Sequence, residues 1–142
     1  MVQRRRNQVG DTHRLPIFAG CTKRAMKRVS SLGTRVHLPA GRTLTRSGAG
    51  GAEVLIVLAG TAICQVHGME VARFGPGDFF GEVATLDGGP RTATVVSRTD
   101  MEVLVFNRLE FETLVKSSPE VAQRILKAMA QRLRHANSAA VA

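Results

Sequence analysis

Apolar and polar positions along this chain follow a helical period near both ends and a strand-like rhythm in between. Near the start, Ala25, Val29 and Leu32 recur at helical spacing and would face a core. Thr22 can cap this helix, predicted over about 23–31, and Gly33 ends it. Short strand-like segments separated by turn residues follow at about 34–38, 42–46, 53–59, 61–67, 69–74, 92–98 and 101–106. Val54-Leu55-Ile56-Val57-Leu58 has no polar position, as in a strand covered on both faces. His67-Gly68 suits a two-residue hairpin turn, and Gly75-Pro76-Gly77-Asp78 is a strong turn signal. Asn107 and Glu110 form a capping pair for a helix over about 108–116. Ser118-Pro119 opens a second helix, whose Val121, Ile125, Leu126, Met129 and Leu133 make an apolar stripe running to about His135. Regularly spaced short strands with Gly-rich turns predict a mainly β fold (sandwich, jelly roll or barrel) with flanking helices.

One segment carries more chemistry than the rest. Residues 80–95 read Phe-Gly-Glu-Val-Ala-Thr-Leu-Asp-Gly-Gly-Pro-Arg-Thr-Ala-Thr-Val. Glu82 and Arg91 bracket a Gly-bounded turn, and Val83-Ala84-Thr85-Leu86 between them can make about one helical turn. Free N–H groups at a helix start attract anions, and an arginine fork matches two phosphate oxygens. A carboxylate can accept from sugar hydroxyls. Taken singly, Glu82 reads as a solvated turn residue, Arg91 as a surface charge, and Thr92 and Thr94 as ordinary strand residues. Jointly they point to a small nucleotide.

Phe80-Gly81-Glu82, Ala84 and Pro90-Arg91-Thr92-Ala93-Thr94-Val95 resemble, in order and spacing, the phosphate-binding cassette of cyclic nucleotide-binding domains. That family includes the catabolite activator protein, protein kinase A regulatory subunits and cyclic nucleotide-gated channels. Weaker resemblance runs from about Leu15 to His135, and the glycines at 41, 60, 68, 75 and 77 look like turn glycines of the family's β-roll. The resemblance implies a β-roll with an N-terminal helix region, a short helix in the cassette and two C-terminal helices. It also implies a regulatory ligand, cyclic AMP with cyclic GMP as the alternative, and no metal. Arg91 would pair with the cyclic phosphate and Glu82 would accept from the ribose 2′-hydroxyl. Backbone N–H groups at Gly81, Val83 and Ala84 would complete the anion site, and Thr92 could add a hydroxyl donor. Val71 and neighbouring apolar residues would pack the base, and Arg132, Arg134 and His135 on the closing helix are candidates to contact it, whereas Met129 reads as core.

Composition narrows the remaining choices. At 142 residues with 44% hydrophobic content the chain can bury one domain core, built from aliphatic residues since Trp and Tyr are absent. Residues 1–14 read as a flexible basic tail, 15–136 as the cyclic nucleotide-binding domain and 137–142 as a frayed end, too short for the DNA-reading helix pair of the family's transcription factors. Cys21 and Cys64 are too few and too far apart for a metal or disulfide framework and read as small buried thiols. No apolar run has the length of a membrane span and no secretory signal follows the basic start, which predicts a cytoplasmic protein.

Charge is unevenly divided. Residues 1–46 hold eleven Lys/Arg against Asp11 alone, a net of +10, while residues 47–142 hold nine against ten acids, a net of −1. The excess lies in Arg4-Arg5-Arg6, in Lys23, Arg24, Lys27 and Arg28, and in Arg35, Arg42 and Arg46. It reads either as a solvated face or as a docking surface for an acidic partner. The leading function is therefore a non-enzymatic cyclic nucleotide receptor that shifts its C-terminal helices for an unidentified protein partner or output domain. The alternative is a degenerate β-roll that binds protein or nucleic acid through its basic N-terminal third. Nucleic acid is the less favoured partner, because no aromatics interleave with these arginines as in a single-strand platform. A metalloenzyme is not expected, since His13, His37, His67 and His135 show no close-spaced pairing.

Overall fold

The computed structural model describes residues 3–5, 15–45, 48, 53–81 and 93–141, with backbone alone for 3–5, 16 and 135–141. A 3-10 turn at Pro16–Phe18 precedes helix α1 (Lys23–Leu32). The strands are β1 (Gln3–Arg5), β2 (Thr34–Leu38), β3 (Thr43–Thr45), β4 (Val54–Ala59), β5 (Ala62–Val66), β6 (Met69–Phe74), β7 (Phe79–Phe80), β8 (Thr94–Ser97) and β9 (Met101–Phe106). Helices α2 (Arg108–Ser117) and α3 (Pro119–Val141) follow. Among the described residues the strands form two antiparallel sheets, ordered β1-β2-β9-β4-β7 and β3-β8-β5-β6. This is the mainly β architecture with flanking helices that the pattern predicts.

The five-stranded sheet is the middle layer. Along β4, Val54 and Ile56 join a core beneath the helices, while Leu55 and Val57 join a second core against the other sheet. β9 divides in the same way, with Leu104 and Phe106 on the helix side and Met101 and Val103 on the sheet side. Successive strand side chains point to opposite faces, so the covered positions of both strands are apolar, and the half-buried Glu102 of β9 is paired with Arg35. Each fully buried Leu, Phe or Val contributes about 1.5–3 kcal/mol relative to exposure, so this double-faced pair is a major part of both cores.

Local signals set the element ends. Thr22 accepts from the Ala25 N–H at 3.2 Å, and Asn107 and Glu110 exchange both bonds of a capping box at 2.8 Å. His67 and Gly68 both hold positive φ, 53° and 77°, as a two-residue hairpin between β5 and β6 requires.

Four features differ from the pattern's expectation. Residues 3–5, within the expected loose tail, pair with β2 as an edge strand. β7 is a two-residue strand beside β4. α3 runs to Val141, beyond the end expected near His135. Its apolar stripe also splits: Val121 and Ile125 are buried and Met129 half-buried, but Leu126 and Leu133 face solvent. Leu126 lies about 100° round the helix from Ile125, so one packed row cannot bury both.

Gly33 ends α1 for a reason other than the left-handed cap expected of it. Its φ is −83°, a value any residue adopts. A Cβ there would instead meet Leu104 Cγ and Phe106 Cζ, each at 2.8 Å. Gly33→Ala should therefore cost about 1–3 kcal/mol by overpacking, and less in a Leu104→Ala background. Chemical denaturation of the four proteins of this cycle checks the coupling.

Candidate functional site

The candidate segment joins the two sheets. β7 ends in the five-stranded sheet, with Leu55 opposite Phe80 and Ile56 opposite Phe79, and Gly81 follows at once. The chain is next described at Ala93, just before β8 enters the four-stranded sheet. Glu82, Val83, Ala84, Arg91, Thr92 and the short helix expected between them lie outside the described residues.

Both flanks are firmly held. The Gly75–Asp78 turn is closed by Asp78 accepting from the Gly75 N–H at 2.8 Å. It is tied to β4 because Gly77 N donates to the Val57 carbonyl and Val57 N to the Asp78 carbonyl, both at 2.8 Å. Gly81 itself has φ +94°, a left-handed conformation that a Cβ disfavours. On the far flank, the Thr45 hydroxyl donates to the Ala93 carbonyl at 3.0 Å. Cys64 of β5 stands opposite both Val95 of β8 and Ala72 of β6, so β5 alone separates the far flank from the edge strand β6.

A helix crosses to this region. The buried row of α3 passes through Val121, Ile125 and Ala128 at spacings of four and three, and four further on it reaches Arg132. An arginine thus stands where the period would place an apolar residue. Its guanidinium lies 4.3 Å from the Phe79 ring centroid and 5.4 Å from that of Phe74, and Nη2 donates to the Phe79 carbonyl. Phe74 in turn stacks on Phe80, with centroids 5.1 Å apart and planes at 18°. Burial pushes the Cys64 thiol above its usual range, and the nearby Arg132 charge offsets this in part by favouring the thiolate. Cys21, at the other end of the helical layer, is raised first by burial, then by Glu120.

β6, at the sheet edge, presents apolar side chains to solvent, Val71 at 59% exposure and Met69 at 71%. Val71 was the position singled out for packing a base. Of the other candidates, Arg132 is half-buried against the phenylalanines, Arg134 is exposed, and the side chain of His135 lies outside those described. Met129 packs against the helix-side core, as its place in the period predicts. The aromatic group itself escaped sequence reasoning, although three of the six Phe fall between positions 74 and 80. Among the described residues no group of three His, Cys, Asp or Glu could hold a metal ion, and no helix is long and apolar enough to cross a membrane.

Comparison with known proteins agrees with this layout. The family described as "Cyclic nucleotide-binding domain" matches residues 35–118. A cyclic nucleotide-gated potassium channel of Rhizobium etli is 34% identical over 121 residues, which cover 83% of this chain and 33% of the channel. Among solved structures, the Thermus thermophilus catabolite activator protein superposes with a TM-score of 0.76 at 31% identity, covering 86% of this chain and 60% of that one. The regulatory domain of Toxoplasma gondii protein kinase A, crystallised with cyclic AMP, superposes with a TM-score of 0.63 at 28% identity, covering 75% of this chain and 42% of that one. The chain spans well under two thirds of the length of the curated relatives it matches.

The Arg132 contacts should be measurable in the protein alone. Arg132→Ala is expected to lower stability by about 1–2 kcal/mol and to speed amide exchange in the C-terminal half of α3, whereas Arg134→Ala leaves both nearly unchanged. Thermal unfolding and hydrogen exchange read these effects.

Proposed function

This chain belongs to the cyclic nucleotide-binding domain family, and on that premise we propose that it is a non-enzymatic receptor for cyclic AMP, with cyclic GMP as the alternative ligand. The observation that carries the reading is the cassette sequence set between two anchored strand ends, one in each sheet, with Gly81 holding a turn that favours glycine.

In this reading Arg91 pairs with the cyclic phosphate, a charge-assisted contact of about 1.5–3 kcal/mol. The N–H groups of Gly81, Val83 and Ala84 add donors to the same anion, and Thr92 adds its hydroxyl. Glu82 accepts from the ribose 2′-hydroxyl, so that a deoxyribose would leave a desolvated acceptor unpaired. The base lies along β6, where the exposure of Val71 is explained by a ligand that covers it. Cys21 and Cys64 are not joined in a disulfide, which suits the reducing cytoplasm.

The response would pass through α3. Arg132 holds the carbonyl of Phe79, two residues before Gly81, so a shift of the cassette's entry strand and a shift of α3 are mechanically linked. Ligand moves this equilibrium only by binding one arrangement more tightly than the other. A partner or output domain beyond this chain then reads the position of α2 and α3.

Calorimetric titration with cyclic AMP and cyclic GMP tests the receptor. Saturable binding of at least one is expected, and Arg91→Ala should weaken it roughly 10- to 100-fold. Absence of saturable binding by wild type up to about millimolar ligand would refute the proposal. The 2′-deoxy analogue of the preferred nucleotide should bind wild type more weakly than the parent does, and Glu82→Gln should shrink that difference.

A further inference from the structure

The second signal in the sequence, the basic N-terminal third, takes a definite shape in the fold. Lys23, Arg24, Lys27 and Arg28 are all exposed on α1, at spacings of one, three and one. This arrangement makes two adjacent rows along one helix, each stepping about 6 Å between neighbours. The opposite side of α1, Ala25, Met26 and Val29, is buried in the core. The four cations are therefore fixed on a rigid support.

The ion-paired acids among the described residues serve other cations. Glu102 takes Arg35 at 2.7 Å, Glu112 takes Arg108 at 3.3 Å and Glu70 takes Arg73 at 3.1 Å. Glu120 lies next to α1 but accepts from the Thr22 N–H and hydroxyl at 3.2 and 3.1 Å, so it serves the helix start and not the flank. Among the described residues no carboxylate stands within 4.0 Å of Lys23, Arg24, Lys27 or Arg28. Arg35, counted with the basic excess from sequence, is committed to Glu102.

The chemistry of the face selects its partner. It carries no aromatic side chain for stacking unpaired bases. The apolar residues of α1 are consumed by the core, so the helix has nothing to bury in a bilayer. A face of two lysines and two arginines, with no Tyr, Trp, Met or Phe among them, also lacks the apolar centre typical of protein–protein contacts. What remains is a partner recognised by charge density alone. Duplex nucleic acid offers one phosphate per about 1.7 Å of axis and releases condensed counterions when cations approach.

We infer that the outer face of α1, formed by Lys23, Arg24, Lys27 and Arg28, docks on the phosphate backbone of duplex nucleic acid without reading its sequence. The contact is independent of the proposed nucleotide site, because it uses a different element and none of the cassette residues.

Fluorescence anisotropy with a random-sequence 30-base-pair DNA duplex tests this on the full chain across a salt series. Four phosphate contacts predict a log–log salt slope steeper by about 3–4 than in the Lys23→Gln/Arg24→Gln/Lys27→Gln/Arg28→Gln variant. That variant should lose at least tenfold in affinity at low salt. A control, Arg42→Gln/Lys116→Gln/Lys127→Gln, should keep most of the wild-type slope. Unchanged far-ultraviolet circular dichroism and melting temperature in both variants exclude misfolding as the cause. Equal loss in both variants would mean diffuse attraction and overturn the inference. So would absence of duplex binding by wild type, including the case where it binds vesicles of one-to-one phosphatidylserine and phosphatidylcholine instead.

Discussion

Strands β4 and β9 have no face to spare for water, and the molecule is arranged around that constraint. Val54, Ile56, Leu104 and Phe106 need cover on one side, and Leu55, Val57, Met101 and Val103 on the other. Helices supply the first cover and the four-stranded sheet supplies the second. Gly33 shows how tight the helical cover is, since even one added carbon at that point would collide with Leu104 and Phe106. At this packing density an element cannot slide by a fraction of an ångström without disturbing its neighbours, so motion is expected as discrete rearrangement of whole elements.

The candidate site inherits its rigidity from that pair. β7 has only two residues and could not persist alone, but it hydrogen-bonds to β4 and carries two buried phenylalanines. The turn before it is bound to Val57 of the same strand. Arg132 reaches the same anchor from α3, so the edge strand β7 and the last helix meet at one carbonyl.

Much of this was legible in the sequence, and the exceptions have physical causes. Strands β2, β6 and β9 fall at their expected bounds because Gly, Pro or polar turn residues punctuate them. β1 was invisible because Gln-Arg-Arg has no alternation, and an edge strand can be held by backbone bonds alone. β7 was hidden because two residues are too few to show a period. The stripe on α3 is only partly buried: sequence spacing shows which residues share a helix face but not how wide a face the neighbours cover. The spacing of Glu82 and Arg91 is a local signal, open to reading from the chain alone. The Arg132–Phe79 contact spans 53 residues, and only the crossing of α3 over β7 creates it.

Charge follows the same division between local and tertiary information. Composition assigns the N-terminal third a large positive excess, but composition alone cannot separate cations that are spent from those that are available. Arg35 and the flank of α1 look alike in the sequence. In the fold, Arg35 on β2 reaches diagonally to Glu102 on the neighbouring strand β9, which stands opposite His37, and its charge is neutralised at close range. The α1 cations project from a helix whose adjoining acid, Glu120, is turned to the helix start. Placing that acid at the N-terminus satisfies free N–H groups and the helix dipole, and it leaves the flank uncompensated. A single carboxylate cannot do both, so capping α1 through α3 is also what keeps its outer face electropositive.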